Sequence, residues 1–161
     1  MNAAMKRIAC STVVMAAFVL APAHAAKIPS HFSDQLEAAL SCRSEWSPAY
    51  WHSYFGTYLG APLRRWGNAD WYDAQGAELA GNATTEVFVN DDASTALMVG
   101  ALIPAKVEGV RQQIEQRLGY AFVALPGPYP RYLSKFGSVL VGLSNEQTKW
   151  YCARWNLGNR P

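Results

Sequence analysis

Apolar residues recur at helical spacing at Phe32, Leu36, Ala39 and Leu40, which predicts an amphipathic helix ending near Cys42, with Ser30 or Ser33 available to cap it. Ser47-Pro48 then supplies a cap followed by proline in the first turn, and Gly60 supplies a stop. Together they bracket a second helix whose face carries Trp51, Tyr54, Phe55 and Tyr58. Residues 62 to 80 are less regular. There Asn68 is placed to cap a short helix through Trp71 and Tyr72, although Gly76 works against it. From Thr84 the period changes to two: Glu86, Phe88 and Asn90 alternate with Thr85, Val87 and Val89, the pattern of a strand. Asn90-Asp91-Asp92 turns the chain, and Ser94 to Ile103 returns as a second, more continuously apolar strand.

Pro104 ends that hairpin. Val107, Val110, Ile114 and Leu118 then mark the buried stripe of a helix that Gly119 terminates, with Arg111 and Glu115 one turn apart on its solvent side. Tyr120 to Leu125, Phe136 to Leu143 and Lys149 to Trp155 read as three further strands, the last two joined by a turn at Ser144-Asn145-Glu146-Gln147. Two or three helices followed by β-β-α-β-β-β make an α+β fold, a mainly antiparallel sheet with helices on one face. The apolar run Val139, Leu140, Val141 places its strand in the middle of the sheet, buried on both sides. In the last strand Trp150, Cys152 and Arg154 share one face, and Tyr151, Ala153 and Trp155 the other.

The first twenty-five residues change the picture of where this fold works. Lys6 and Arg7 precede an apolar run from Ile8 to Ala21 and then Ala23-His24-Ala25, the order of a secretory signal peptide cleaved near Ala25. The run is too short for a spanning helix, so the expectation is an exported, periplasmic or secreted protein, not an integral membrane protein. Residues 26–161 are then a length that suits one α+β domain. Cys10 lies inside the leader, which leaves Cys42 and Cys152 to pair in an oxidising compartment. On the chain-entropy model, closing so long a loop contributes on the order of 4 to 5 kcal/mol. The net charge of +2 falls to near neutral when Lys6 and Arg7 leave. The remaining basic residues are scattered apart from Arg64-Arg65, which disfavours nucleic acid.

Candidate chemistry is sparse. Trp46, Tyr50, Trp51, Tyr54, Phe55, Tyr58, Trp66, Trp71 and Tyr72 crowd one segment, more aromatic surface than one helix face buries. The segment is therefore either half of the core or a binding platform in which Trp51 and Tyr54 take part. His52 with Glu45 or Asp70 is an available acid–base pair, and Asp70, Asp73 and Glu78 would suit glycoside hydrolysis beside a Trp-lined cleft. Acidic residues after Asn68 are equally explained by a helix N-terminus. No metal-ligand spacing, nucleophile elbow, dinucleotide fingerprint or phosphate loop is present, so no metal and no cofactor is expected. In Leu125-Pro126-Gly127-Pro128-Tyr129-Pro130-Arg131-Tyr132 the prolines stiffen the path, from which Tyr129, Arg131 and Tyr132 would project. Tyr and Arg are the types that carry interface energy.

These observations favour a non-enzymatic envelope protein that binds a partner protein or a glycan, of the kind that inhibits wall hydrolases or confers immunity to exported toxins. The alternative is a small envelope hydrolase acting on glycan or peptide bonds through His52 and the nearby carboxylates.

Overall fold

The computed structural model describes residues 28–155; the expected signal peptide, Cys10 included, lies outside them. Two helices lead, α1 (Phe32–Leu40) and α2 (Pro48–Tyr58). The start of α2 is written in its sequence: the Ser47 side chain accepts the Tyr50 N–H at 3.2 Å, and Pro48 needs no partner for a missing donor. The start of α1 differs from expectation. Its N-cap is His31, which makes no side-chain cap bond, and Ser33 instead donates its hydroxyl to the Glu78 carbonyl at 2.6 Å.

The segment after α2 is a hairpin rather than a third helix: β1 (Arg64–Trp66) and β2 (Ala69–Asp73) pair with Trp66 opposite Ala69. Gly67-Asn68 is the two-residue loop between them, and Gly67 has φ +59°, the left-handed conformation that such loops require. Asn68 is thus a turn residue and caps nothing. A separate two-stranded piece, β3 (Glu78–Leu79) and β4 (Asn82–Ala83), follows. Its turn is pinned by Glu37, whose buried carboxylate accepts the Ala80 N–H at 2.6 Å.

The second half runs β5 (Glu86–Asn90), β6 (Ala96–Ile103), α3 (Val107–Leu118), β7 (Phe122–Leu125), β8 (Arg131–Ser134), β9 (Ser138–Gly142) and β10 (Thr148–Trp155). Gly119, with φ +72°, closes α3 as expected. The strand β8 adds to the expected set, because only a stiff connection is legible around its prolines. Eight strands form one sheet in the order β1-β2-β5-β6-β10-β9-β8-β7, every pair antiparallel. The helix α3 carries the chain from the middle of the sheet to its far edge, and β7 to β10 return strand by strand until β10 pairs with β6.

All three helices lie against one face. Phe32, Leu36, Trp51, Phe55, Val110 and Ile114 from the helices meet Tyr72, Val87, Val99, Ala101, Leu140 and Trp150 from the sheet. Trp150 is fully buried and donates its indole N–H to Ser138 Oγ at 2.8 Å. Cys152, on the same face, is joined to Cys42 just beyond α1, and Arg154 donates to the carbonyls of Cys42 (3.0 Å) and Ser44 (2.7 Å). The α+β class, the antiparallel sheet and the disulfide are therefore as expected. One detail of the sheet is not: β9 sits between β10 and β8, but only Leu140 of its apolar run is buried, while Val139 and Val141 remain partly exposed on the other face.

Burial of tyrosines makes this core sensitive to alkali. Desolvation, followed by the neighbouring Tyr50 and Tyr58, pushes the Tyr54 phenol up to about 12. Burial also raises Tyr72, Tyr120 and Tyr151. An unfolded tyrosine ionises near 10, so the stability Tyr54 contributes is complete below that pH and is lost as pH rises toward about 12. Phenolate absorbance should accordingly rise together with loss of the far-UV helical signal across that interval. Complete ionisation centred at pH 10 in a chain that keeps its native spectrum is the contrary result.

Candidate functional site

Because side chains alternate along a strand, the face opposite the helices follows from register alone. One row of directly paired residues crosses all eight strands: Arg64, Trp71, Phe88, Gly100, Tyr151, Val139, Leu133, Val123. The next row is Asp73, Glu86, Leu102, Lys149, Val141, Arg131, Leu125. No helix among the described residues covers this face. Trp66, Val123, Leu125, Leu133 and Trp155 on it are exposed, whereas Trp71 and Phe88 are buried by one another, their rings stacked at 4.4 Å.

Gly100 is what lets Phe88 lie flat. A Cβ at that position would overlap the Phe88 ring, so the ring occupies the ground that a side chain on β6 would take. Over the ring sits Lys149, its ammonium 4.4 Å from the Phe88 centroid and 5.5 Å from those of Trp71 and Tyr151. Arg64 lies 4.8 Å from the Trp71 ring and is bound to Glu86 at 2.6 Å. Cations over aromatic faces are attracted by the ring quadrupole, but Lys149 has no carboxylate within ion-pair distance among the described residues. Burial alone lowers its pKa.

A cleft of about 500 Å³ opens beside this stack, lined by Trp66, Asn68, Ala69, Trp71, Phe88, Asn90, Thr95, Ala96, Met98 and Lys149. It falls within the size range of pockets that accept small ligands or anchoring side chains. The side chain of Asn90 in its wall is committed internally, donating to the Ala96 carbonyl and accepting the Met98 N–H.

The expected catalytic residues lie elsewhere and do not form one site. His52 and Asp70 do meet, Nδ1 to Oδ2 at 3.5 Å, on the helix side of the sheet. Yet both ring nitrogens of His52 are engaged: Nε2 is 3.2 Å from the Asn90 carbonyl and Nδ1 is 3.2 Å from the Tyr72 hydroxyl. A carbonyl only accepts, so Nε2 donates to Asn90, while Nδ1 lies between the Tyr72 hydroxyl and the Asp70 carboxylate. Asp70 is shared with Arg65, which also reaches Asp91 at 2.5 Å. This is a strut between α2, β2 and the turn after β5, with no ring nitrogen turned to a substrate. Asp73 accepts the Gln75 N–H at 3.0 Å on the opposite face of β2, and the exposed Glu78 stands on β3. Glu45, the other partner considered for His52, forms no ion pair with it.

The expected binding residues divide as well. Trp51 and Tyr54 are 2 % and 8 % exposed and belong to the core between α1, α2 and the sheet, so they offer no platform. Tyr129 is exposed and lines a smaller hollow of about 230 Å³ with Val107 and Gly142. Arg131 and Tyr132 are consecutive in β8 and therefore point to opposite faces. Arg131 lies on the open face, donating to the Pro126 carbonyl at 2.6 Å. Tyr132 lies on the helix side, under the Arg111 guanidinium at 5.2 Å. The cleft does not follow from the expected pattern, because a helix capped by Asn68 would replace the hairpin that brings Trp66 and Trp71 beside Phe88. Gly67-Asn68 was the available signal, a glycine-led pair of the kind that makes two-residue hairpin loops.

The chain matches no protein-family model, no curated protein and no solved structure.

Two substitutions separate the two regions. Gly100→Ala should destabilise the chain by about 1 to 3 kcal/mol, the cost of overpacking, and should lower the denaturant midpoint; an unchanged midpoint contradicts the flat seat assigned to Phe88. His52→Ala leaves the Asn90 carbonyl and the Tyr72 hydroxyl without a partner and should likewise cost about 1 to 3 kcal/mol. Denaturant unfolding measures it, and a value within error of wild type removes His52 as a strut.

Proposed function

We propose that this chain is an exported, non-enzymatic envelope protein that acts by associating with another protein through the uncovered face of its sheet. One observation carries the reading: on the face without helices an apolar row runs from Trp71 on β2 to Val123 on β7, and Leu133, Val123, Leu125, Trp66 and Trp155 on that face stand exposed. Apolar surface of that extent is otherwise buried, and where it is left open it marks a contact surface. The composition separates protein from glycan. Sugars stack on open aromatic faces, and of Trp66, Trp71 and Phe88 only Trp66 stands exposed, whereas Val139, Leu133, Val123 and Leu125 give the face aliphatic groups suited to another protein's side chains. The engaged nitrogens of His52, and its position across the sheet from the cleft, argue for binding over hydrolysis. Export is supported by the leader sequence and by the Cys42–Cys152 bridge, since such bonds persist in oxidising compartments.

The experiment is comparative capture. Wild type and a Trp66→Ala/Val123→Glu variant, immobilised at equal density, are exposed to an envelope extract, and retained proteins are quantified by mass spectrometry. Replacing an exposed aromatic and burying a charge in the contact typically weaken an interface by about tenfold or more, so proteins held by wild type should drop by that factor on the variant. Identical captured sets would remove the open face from the function.

A further inference from the structure

The open face is self-complementary, and we infer that its occupant in a preparation of this chain alone is a second copy, packed face to face about a two-fold axis that runs parallel to the strands between β6 and β10. This inference rests on the reading of that face as an association surface and names what covers it. The argument is one of register. The axis places each strand opposite the strand equally far from the other edge, so β2 faces β8, β5 faces β9 and β6 faces β10. Such an arrangement keeps strand directions aligned, as packed sheets prefer, and gives the isologous contact expected of a dimer.

Three correspondences follow, none of them built into the choice of axis. In the charged row, Asp73 on β2 comes opposite Arg131 of the second copy on β8, and by symmetry the pair occurs twice. The acidic residues of the face, Asp73 and Glu86, occupy one half of this row, and the basic Lys149 and Arg131 the other. Reversing the row upon itself therefore sets Asp73 against Arg131, Glu86 against Val141 and Lys149 against Leu102 of the second copy. Lys149 lacks a carboxylate of its own among the described residues, and it comes to lie one strand away from Glu86 of the second copy.

In the apolar row, Trp71 faces Leu133 and Phe88 faces Val139 of the second copy, Tyr151 meets the Phe88 ring that lies over Gly100, and Arg64 faces Val123 at the end of the row. Trp71 and Phe88 thus meet smaller aliphatic groups. The exposed aliphatic end at Val123 and Leu133 lies toward the other copy's Trp66–Trp71 cleft, which gives that cleft an occupant. The extent is also sufficient. Strands about 4.8 Å apart and about five residues long give a face on the order of 600 Å² before side-chain relief is counted, comparable with the roughly 800 Å² per partner of a stable interface.

The test is charge exchange read by sedimentation velocity on the purified chain. Wild type should sediment as a dimer, with association weakening as salt is raised. Asp73→Arg and Arg131→Asp each place like charges in contact and should each weaken association by about tenfold or more. The double variant Asp73→Arg/Arg131→Asp restores both pairs in exchanged order and should regain dimerisation. Far-UV spectra and thermal midpoints of the single variants establish that they are folded. If a single variant unfolds, the decision passes to Val123→Arg, which sets a second arginine against Arg64 of the second copy at the exposed edge and should also yield a monomer. Wild type that remains monomeric at about 100 μM, a concentration at which a micromolar interface is filled, overturns the inference. So do folded single variants that dimerise as wild type does, or a double variant that stays monomeric when each single one does. A monomeric wild type whose envelope capture is still lost in the Trp66→Ala/Val123→Glu variant defeats self-association alone and leaves the association reading standing.

Discussion

A sheet has two faces, and three short helices supply a layer for only one of them. That one-sided burial is the constraint from which the other features of this fold descend. The helix side is organised around Trp150 on β10, fully buried where β10 lies between β6 and β9 and held by its bond to Ser138. Cys152, two residues on, fastens the same strand to the end of α1, and Arg154 repeats the attachment through the Cys42 and Ser44 carbonyls. A single strand therefore carries a hydrophobic anchor, a covalent link and a charged clasp, spaced by two so that all three face the helices. The two ends of the chain's described part are joined there, which matters because α1 comes first and β10 last.

The same alternation that concentrates these attachments on one face delivers Lys149, Tyr151 and Trp155 to the other. The open face is not polar throughout: Phe88 on β5 and Met98 and Leu102 on β6 lie on it, while Val87, Val89, Val99 and Ile103 of the same strands face the helices. The chain reduces the exposure of its largest apolar groups locally. Phe88 lies over Gly100, Trp71 stacks on Phe88, and Lys149 and Arg64 cover the ring faces. These contacts bury two aromatics without a second layer, but they do not extend to Val123, Leu133 or Trp155, which remain exposed.

Legibility in the sequence follows how local the determining physics is. The caps of α2 and α3 were readable because Ser47-Pro48 and Gly119 act within one turn, and β5 because its alternation is regular. The face of β10 toward the helices was readable once Cys152 was paired with Cys42. The β1–β2 hairpin was not, since Ala69, Trp71 and Tyr72 are buried on opposite faces and leave no polar–apolar alternation to detect. The strand β8 was obscured by prolines that in fact precede it, and with it went the division of Arg131 from Tyr132. The cleft is a property of five strands brought together from residues 64 to 155, so no local signal could announce it. The aromatic crowding of α2 was visible but undecidable from sequence, since the same stripe serves a core or a platform. The sheet it packs on decides for the core.

A sheet with an exposed apolar face has two ways to associate, through its edges or through the face, and the edges here are poor templates for pairing. At one edge β1 is three residues long, and two of them are arginines tied to Glu86, Asp70 and Asp91. Short, charged edge strands are poor templates for a further strand. At the other edge the Phe122 N–H is taken by Glu115, itself held by Arg111 from one turn earlier in α3. The chain then leaves β7 through Pro126, Pro128 and Pro130, which cannot donate to a ladder. Arg111 and Glu115, an ordinary surface pair by spacing alone, thus act as an edge guard once the fold places β7 beside them. With both edges poor templates for a further strand, the sheet's exposed apolar surface is left on its face, at Trp66, Val123, Leu125, Leu133 and Trp155.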